Sequence, residues 1–324
     1  MMTLRDMLRA ASRTFALGIE RLPGALGDAV MVAYLLLRVS DYLEDNPEMP
    51  RDKKVALLNL WDDVLAGKAD VRQLTEQFSR ADGTDPDAVV AEHAEEVLAR
   101  LRALPPEVQA PIVSNVRDST QGMARWVARG PVVGDEADMD DYMHEVAGRV
   151  GYLLTHLFSW YSYYIRLHKD ALMPLAREFG LALQTVNVIR GLREDYERGW
   201  IFIPETFCAA VEISRHDLFL PEHRAKAMKV LDMLADKAER HLRAALAYLK
   251  ALPPWQHSIR LFCIFPLMFA VRTLAISRHN HNVLESEAKI TREEVARIVR
   301  DSTFWGWSNL WLDYYYRQLS VVGE

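Results

Sequence analysis

The spacing of apolar residues constrains the fold of this 324-residue chain more than any other feature. Apolar side chains recur at three- and four-residue steps, which is the period of a helix that buries one face. No alternation of apolar and polar residues, as a half-buried strand would show, reaches a comparable length. The segments predicted as helices are 26–39, 55–65, 89–101, 112–127, 142–167, 172–189, 222–252, 259–277 and 292–316. The pattern therefore predicts an all-α fold.

Proline- and glycine-containing stretches separate these helices. They occur at Pro47 and Pro50, across 81–86, at 105–106 and across 130–134. With a mass of 37.1 kDa and 50 % hydrophobic residues, the chain is able to bury one large core. We therefore expect a single domain over residues 1–324, built as a helical bundle with a central cavity between facing helices.

Charge and cysteine content narrow the functional classes. The formal net charge is −6, and no long run of lysine or arginine occurs, so we expect no nucleic-acid partner. The two cysteines, Cys208 and Cys263, stand among apolar residues, which favours a reducing compartment over a disulfide framework. No secretory signal is evident at the start, and we expect a cytoplasmic location. The sequence does not indicate the oligomeric state.

Two stretches, 150–165 and 261–276, are the most apolar of the chain. They contain His156 and Arg272, respectively, and each is shorter than the roughly 20 residues that span a bilayer. They are predicted to be buried core helices. Peripheral membrane contact stays open as an alternative, since a soluble enzyme of lipids still has to collect its substrate.

Two carboxylate clusters lie inside these helical stretches. Asp41, Glu44 and Asp45 are spaced i, i+3 and i+4 and therefore project from one helix face, and Glu194–Asp195 follow much later in the chain. Carboxylates crowded in this way repel each other unless a cation lies between them, and hard oxygen ligands suit Mg²⁺, which commonly bridges carboxylates and substrate phosphates. The clusters indicate a diphosphate substrate, with a solvated helix face as the alternative.

Five ordered segments together resemble the squalene and phytoene synthase family of head-to-head prenyltransferases, with the squalene synthases as the more similar branch. The resemblance covers about residues 10 to 275. The segments are Ser-Arg-Thr-Phe at 12–15, the run from Ala33 to Asp45, the run from Tyr142 to Gly151, the run from Gln184 to Asp195, and Phe-Cys-Ile-Phe-Pro at 262–266. Any one of them alone would be a weak signal, because helices rich in leucine, alanine and arginine are common.

The resemblance implies a role for each matching residue. It implies Mg²⁺ ligands at Asp41, Glu44, Asp45, Glu194 and Asp195. It implies contacts to the diphosphate of an isoprenoid substrate from Ser12, Arg13, Arg38, Gln184, Asn187 and Arg190. Tyr34 and Tyr142, with Arg38, would serve catalysis, and Phe262, Phe265 and Pro266 would line the cavity for the apolar chain. For each arginine a surface salt bridge is the alternative, and Arg38 could pair with Asp41 three residues later.

At one position the chain departs from the family pattern. An Asp normally follows the arginine that corresponds to Arg190, and here that residue is Gly191. One metal ligand of the second motif is therefore missing. Arg193 could replace part of the metal's charge or simply pair with Glu197, and Asp118 resembles another acid of the family that could compensate.

Three hypotheses follow from these features. The first is a squalene-forming enzyme that joins two farnesyl diphosphates through presqualene diphosphate and reduces the product with NADPH; the family does not hold NADPH on a Gly-x-Gly-x-x-Gly turn. The second is a prenyltransferase with another acceptor, such as an aromatic compound, because Gly191 replaces a ligand. The third is a binding or assembly protein without turnover. The aromatic segment 304–316 lies outside the resemblance and fits either a core or an exposed patch.

Overall fold

The protein is described by a computed structural model that places residues 2–78 and 85–321. Within these ranges the chain is helical throughout, without a strand, and the prediction of an all-α fold is confirmed. The α-helices are α1 Leu4–Ala11, α2 Arg13–Ile19, α3 Gly24–Asp45, α4 Arg51–Leu65, α5 Val71–Thr75, α6 Pro86–Glu92, α7 Ala94–Arg102, α8 Pro106–Arg129, α9 Glu136–Met143, α10 Arg149–Tyr161, α11 Tyr163–Leu167, α12 Lys169–Arg190, α13 Leu192–Glu197, α14 Glu205–Ala210, α15 Arg224–Ala251, α16 His257–Ser277, α17 Arg292–Trp305 and α18 Asn309–Leu319.

The helices form two compact units. The first consists of Met1–Gly130 and Tyr152–Lys169, with α3 at its centre. Helix α3 packs against α4, α6, α7 and α8, and α4 lies along α8. A buried hydrogen bond of 2.7 Å joins the hydroxyls of Ser40 on α3 and Thr120 on α8, so the polar groups between these two apolar faces are satisfied.

The second unit consists of Pro131–Gly151 and Asp170–Glu324, and α16 is its core helix. Helix α16 packs against α15, α17 and α18. It is long and apolar enough to cross a membrane, but 83 % of its most apolar window is buried inside the protein. This agrees with the sequence-based prediction of a core helix for this segment.

Three predicted helices are interrupted. The segment 89–101 breaks at His93, and 292–316 breaks at the turn around Gly306. The segment 142–167 contains a π-helical turn, His144–Gly148, between α9 and α10, and breaks again at Ser162. Beside the π-turn, a Cβ atom on Gly180 would lie 2.2 Å from the carbonyl oxygen of Ala147. Only glycine allows α12 to approach the π-turn this closely.

Candidate active site

The first acidic motif forms the last turn of α3 and is organised by Arg38. The Arg38 guanidinium donates 2.8 Å hydrogen bonds from Nη1 to Asp41 Oδ2 and from Nε to Asp87 Oδ1. A further hydrogen bond from Nη2 to Asp87 makes the second pair bidentate, the geometry that suits a guanidinium and a carboxylate. The pairing of Arg38 with Asp41, which the sequence left as an alternative, is therefore present. All three side chains are about one quarter exposed.

Asp41 shares its arginine with Asp87, and its own pKa is raised. The pKa of Asp41 is raised to about 6: burial raises it most, Arg38 lowers it, and the neighbouring Asp45 and Asp87 raise it. Glu44 is buried, whereas Asp45 is exposed. Within residues 2–78 and 85–321 no three His, Cys, Asp or Glu side chains are grouped closely enough to hold a metal by themselves. Mg²⁺ needs only one or two carboxylates when substrate phosphates supply other ligands, so Asp41 and Asp45 fit such an ion.

Ser12 and Tyr34 lie on the same side of the first unit as Arg38. The Ser12 hydroxyl caps α2 by accepting a 3.1 Å hydrogen bond from the Phe15 amide. It is also hydrogen-bonded to the Tyr34 hydroxyl, while burial raises the pKa of Tyr34 to about 12. The phenol therefore stays protonated at neutral pH. The side chain of Arg13 lies outside the described residues.

The second acidic motif lies in the short helix α13. Asp195 is buried and accepts a hydrogen bond from Arg198, three residues later, while Glu194 is exposed. Helix α13 ends with Gly199 at a φ of 79°, and the amides of Gly199 and Trp200 donate to the carbonyls of Tyr196 and Asp195. This Schellman ending explains why the chain leaves the helix at Gly199. Arg193 pairs with Glu197 at 2.7 Å.

Gly191 lies between α12 and α13 with a φ of −97°, a conformation open to any residue. A Cβ atom at this position would lie 3.4 Å from the Asn187 carbonyl oxygen and 3.9 Å from Asp195 Oδ2. These are ordinary van der Waals distances. Neither the backbone nor a lack of space therefore requires glycine here, and a carboxylate at 191 would stand beside Asp195.

The candidate diphosphate ligands on α12 face solvent to different degrees. Asn187 and Arg190 are exposed and Gln184 is half-buried, with the Asn187 amide donating to Gln184 Oε1 at 3.5 Å. Arg190 Nε lies 2.9 Å from Glu287 Oε1. Glu287 also pairs with Lys289, so in this conformation one carboxylate holds both cations.

Tyr142 belongs to a stack of three aromatic rings. It is buried at the end of α9, with its ring 4.6 Å from that of Phe202, and Phe202 stacks in turn on Trp200 at 5.4 Å. The loop that follows α13 thus supports Tyr142. Phe262 and Phe265 are buried in α16 and Pro266 is partly exposed, and their role in lining a cavity stays a prediction. Asp118 is exposed on α8.

Sequence reasoning missed three residues that the structure brings to these sites. Asp87 lies 49 residues from its partner Arg38, and Glu287 pairs with Arg190 across an even longer stretch of chain. The third is Phe202, which lies in the loop after α13 and stacks on Tyr142. The position of Asp87 in the first turn of a helix, after an Asp85 cap, was the only local signal.

The described residues thus form an all-α fold with arginine–carboxylate pairs near helix ends. Residues 8–294 match the sequence profile described as squalene/phytoene synthase. The squalene synthase of Schizosaccharomyces pombe is 30 % identical over 306 residues, which are 92 % of this chain and 64 % of that protein. The human squalene synthase is 30 % identical over 305 residues, which are 93 % of this chain and 69 % of that protein. The chain thus spans about two thirds of the length of these relatives.

Solved structures agree with the sequence matches. A ligand complex of TcSQS has a TM-score of 0.83 at 29 % identity and covers 98 % of this chain and 90 % of its own. A dehydrosqualene synthase, at a TM-score of 0.67 and 17 % identity, covers 97 % of this chain and 95 % of its own and supports the fold alone. The chain belongs to the squalene/phytoene synthase family, a family of prenyltransferases.

Proposed function

We propose that this protein joins two molecules of farnesyl diphosphate head to head and reduces the product to squalene. The observation that supports this most is the pairing of Arg38 with Asp41 and Asp87 next to Tyr34, in the segment that most resembles the family. Relatives named squalene synthase match across more than nine tenths of the chain. The activity is inferred from these two findings together.

The first acidic motif would assist departure of the diphosphate. When the allylic C–O bond breaks, its electron pair leaves with the diphosphate, whose growing charge needs cations. Arg38 would supply one, and Asp41 and Asp45 would hold Mg²⁺, which supplies further positive charge when bound. Asp87 orients Arg38, because a bidentate pair fixes the plane of the guanidinium.

Tyr142 would act on the carbocation and its protons. A phenol presents a π face to a cation, and its hydroxyl transfers a proton when a suitable acceptor is near. Closing the cyclopropane of presqualene diphosphate releases one proton, which passes to a base such as the released diphosphate. Opening that ring after loss of the second diphosphate requires a hydride, for which NADPH is the proposed cosubstrate.

A second candidate function rests on Gly191. Asp195 is already neutralised by Arg198, and no carboxylate stands at 191, so the second motif has fewer ligands for a metal than the resemblance implies. An enzyme of this fold that activates one diphosphate only would transfer its prenyl group to a different acceptor, such as an aromatic compound.

The test is incubation of the purified protein with farnesyl diphosphate and Mg²⁺, with and without NADPH, followed by mass spectrometry of the lipids. We expect presqualene diphosphate without NADPH and squalene with it. An Arg38→Ala variant serves as the control for background hydrolysis. Farnesol as the sole product, or no consumption of substrate, would contradict the proposal; prenylation of an added aromatic acceptor would support the second candidate instead.

A further inference from the structure

A cluster of large apolar side chains is exposed at the corner between α17 and α18. Its members are 52 to 83 % exposed and are Phe304, Trp305, Trp307, Leu310 and Tyr314; we refer to them as the aromatic corner. Aromatic side chains of this size present about 200 Å² each, so the corner exposes on the order of 600 Å² of apolar surface. This is at the upper end of the roughly 300–600 Å² that the largest apolar patch of a typical monomer exposes, and such patches are often functional.

The corner is held rigidly by the core beneath it. Arg260 is fully buried on α16 and donates hydrogen bonds to the Gly306 carbonyl at 3.0 Å and to Asn309 Oδ1 at 2.7 Å. Its remaining donors bind the carbonyls of Leu249 and Leu252 at the end of α15. Gly306 faces inward, where a Cβ would come within 2.6 Å of Ile264. These hydrogen bonds and the inward-facing Gly306 fix the conformation of the turn, and the neighbouring Trp305 and Trp307 therefore point outward.

The exposed face of helix α18 extends the aromatic corner. Leu310, Tyr314 and Arg317 are spaced i, i+4 and i+7 and lie on one face, and all three are exposed. The opposite face, with Leu312 and Tyr316, is buried. Trp255 adds a further exposed ring close by, since His257 in the first turn of α16 contacts the Thr303 carbonyl at 3.0 Å.

The charges around the aromatic corner suit a lipid headgroup region. Residues 297 to 321 include two acids, and both are paired. Asp301 pairs with Arg300 at 3.0 Å, and Asp313 pairs with Lys250 at 2.7 Å. Arg297 and Arg317 are exposed beside them and contribute positive charge. Tryptophan and tyrosine prefer the boundary between headgroups and acyl chains, and a long arginine side chain reaches from it toward the phosphates.

We propose that the aromatic corner docks this protein on the surface of a lipid bilayer, with its rings in the headgroup region and Arg317 near the phosphates. The inference concerns a surface, not a membrane-spanning segment, because the apolar helix α16 is buried. It does not depend on the proposed catalytic activity, and it is tested without substrate.

The experiment measures co-sedimentation of the whole chain with vesicles of phosphatidylcholine and phosphatidylglycerol. We expect the double variant Trp305→Ser/Trp307→Ser to bind at least about tenfold less vesicle than the unmodified protein. The matched control is Tyr163→Ser/Leu167→Ser, which removes two equally exposed apolar side chains from α11 and should leave binding unchanged. Circular dichroism and thermal melting confirm that each variant is folded.

A second readout tests insertion directly. Tryptophan fluorescence should shift to shorter wavelength with vesicles and should be quenched by lipids brominated near the headgroup, and both effects should be lost in the tryptophan variant. Equal binding by the two double variants would overturn the proposal. So would a dimer in sedimentation velocity that the tryptophan substitutions disperse, in the absence of vesicle binding, because the corner would then be an interface between two copies of the chain.

Discussion

The two acidic motifs differ in how their negative charge is balanced. In the first, Arg38 pairs with both Asp41 and Asp87, and Asp45 is close enough to contribute to the raised pKa of Asp41. Asp41 and Asp45 also lie at the C-terminal end of α3, where the helix dipole disfavours anions, whereas Asp87 lies in the first turn of α6. In the second, Asp195 pairs with Arg198 and Glu197 pairs with Arg193. In the first motif one arginine is thus shared between two carboxylates, whereas in the second Asp195 and Glu197 each have an arginine of their own.

The largest effect is expected from removing the shared arginine. Arg38→Ala should lower kcat/KM for farnesyl diphosphate by about 10²- to 10³-fold, because it deletes a cation that faces the leaving group and leaves Asp41 and Asp87 unbalanced. Arg193→Ala is the matched control in the second motif, since Arg193 pairs with Glu197, an exposed acid one turn away, and lies over the ring of Tyr196. It should change the rate less than about twofold. Release of pyrophosphate measures both, and equal losses would remove the distinction between the motifs.

A carboxylate at position 191 should make the second motif resemble the first. Gly191→Asp places an acid beside Asp195 without a steric clash, and we expect Mg²⁺ affinity to rise about tenfold, the size of effect that a metal's neighbouring groups usually have. Isothermal titration with Mg²⁺ measures this. Gly191→Asn has nearly the same shape without the charge and should bind as the unmodified protein does. Unchanged affinity and products in both variants would show that the missing carboxylate is unimportant.

The sequence predicted local features far better than long-range contacts. The helical period identified every long helix, and the spacing of Asp41, Glu44 and Asp45 placed the first motif on one helix. The breaks at His93 and at the π-turn after Met143 have no proline to signal them; they arise from packing, such as the close approach of Gly180 to Ala147.

The sequence did not predict how the charges of the two motifs are paired, because some of the partners come from distant parts of the chain. Local spacing suggested the pairs Arg38–Asp41 and Arg193–Glu197, and both are present. The partners that distinguish the motifs, Asp87 and Glu287, come from distant segments, and only the fold brings them to Arg38 and Arg190. Sequence spacing does not identify an ion-pair partner that is so far away in the chain.

The raised pKa of Asp41 should be visible in the stability of the protein measured without Mg²⁺. The pKa of Asp41 rises from an ordinary value of 3.8 to about 6 on folding, so the folded protein binds more protons than the unfolded chain between these values. The free energy of unfolding should therefore decrease as the pH rises from about 4 to 6, by on the order of 1 kcal/mol, since Asp41 is partly exposed. Urea unfolding of the protein and of Asp41→Asn isolates this contribution, and parallel pH profiles would contradict the raised pKa.

The smallest expected effect is on KM for farnesyl diphosphate. It depends on whether Glu287 competes with the substrate for Arg190 or orients Arg190 toward it. Glu287 holds Arg190 at 2.9 Å, and we expect it to compete with a substrate diphosphate for the guanidinium. Glu287→Gln should then lower KM for farnesyl diphosphate about threefold with kcat unchanged, because a partly exposed ion pair contributes less than about 1 kcal/mol. Glu197→Gln, which releases Arg193 instead, is the control in the same region and should leave KM unchanged. A higher KM in Glu287→Gln would mean that Glu287 orients Arg190 as Asp87 orients Arg38. The two motifs would then use their arginines in the same way, and the contrast between them would be confined to the missing carboxylate at position 191.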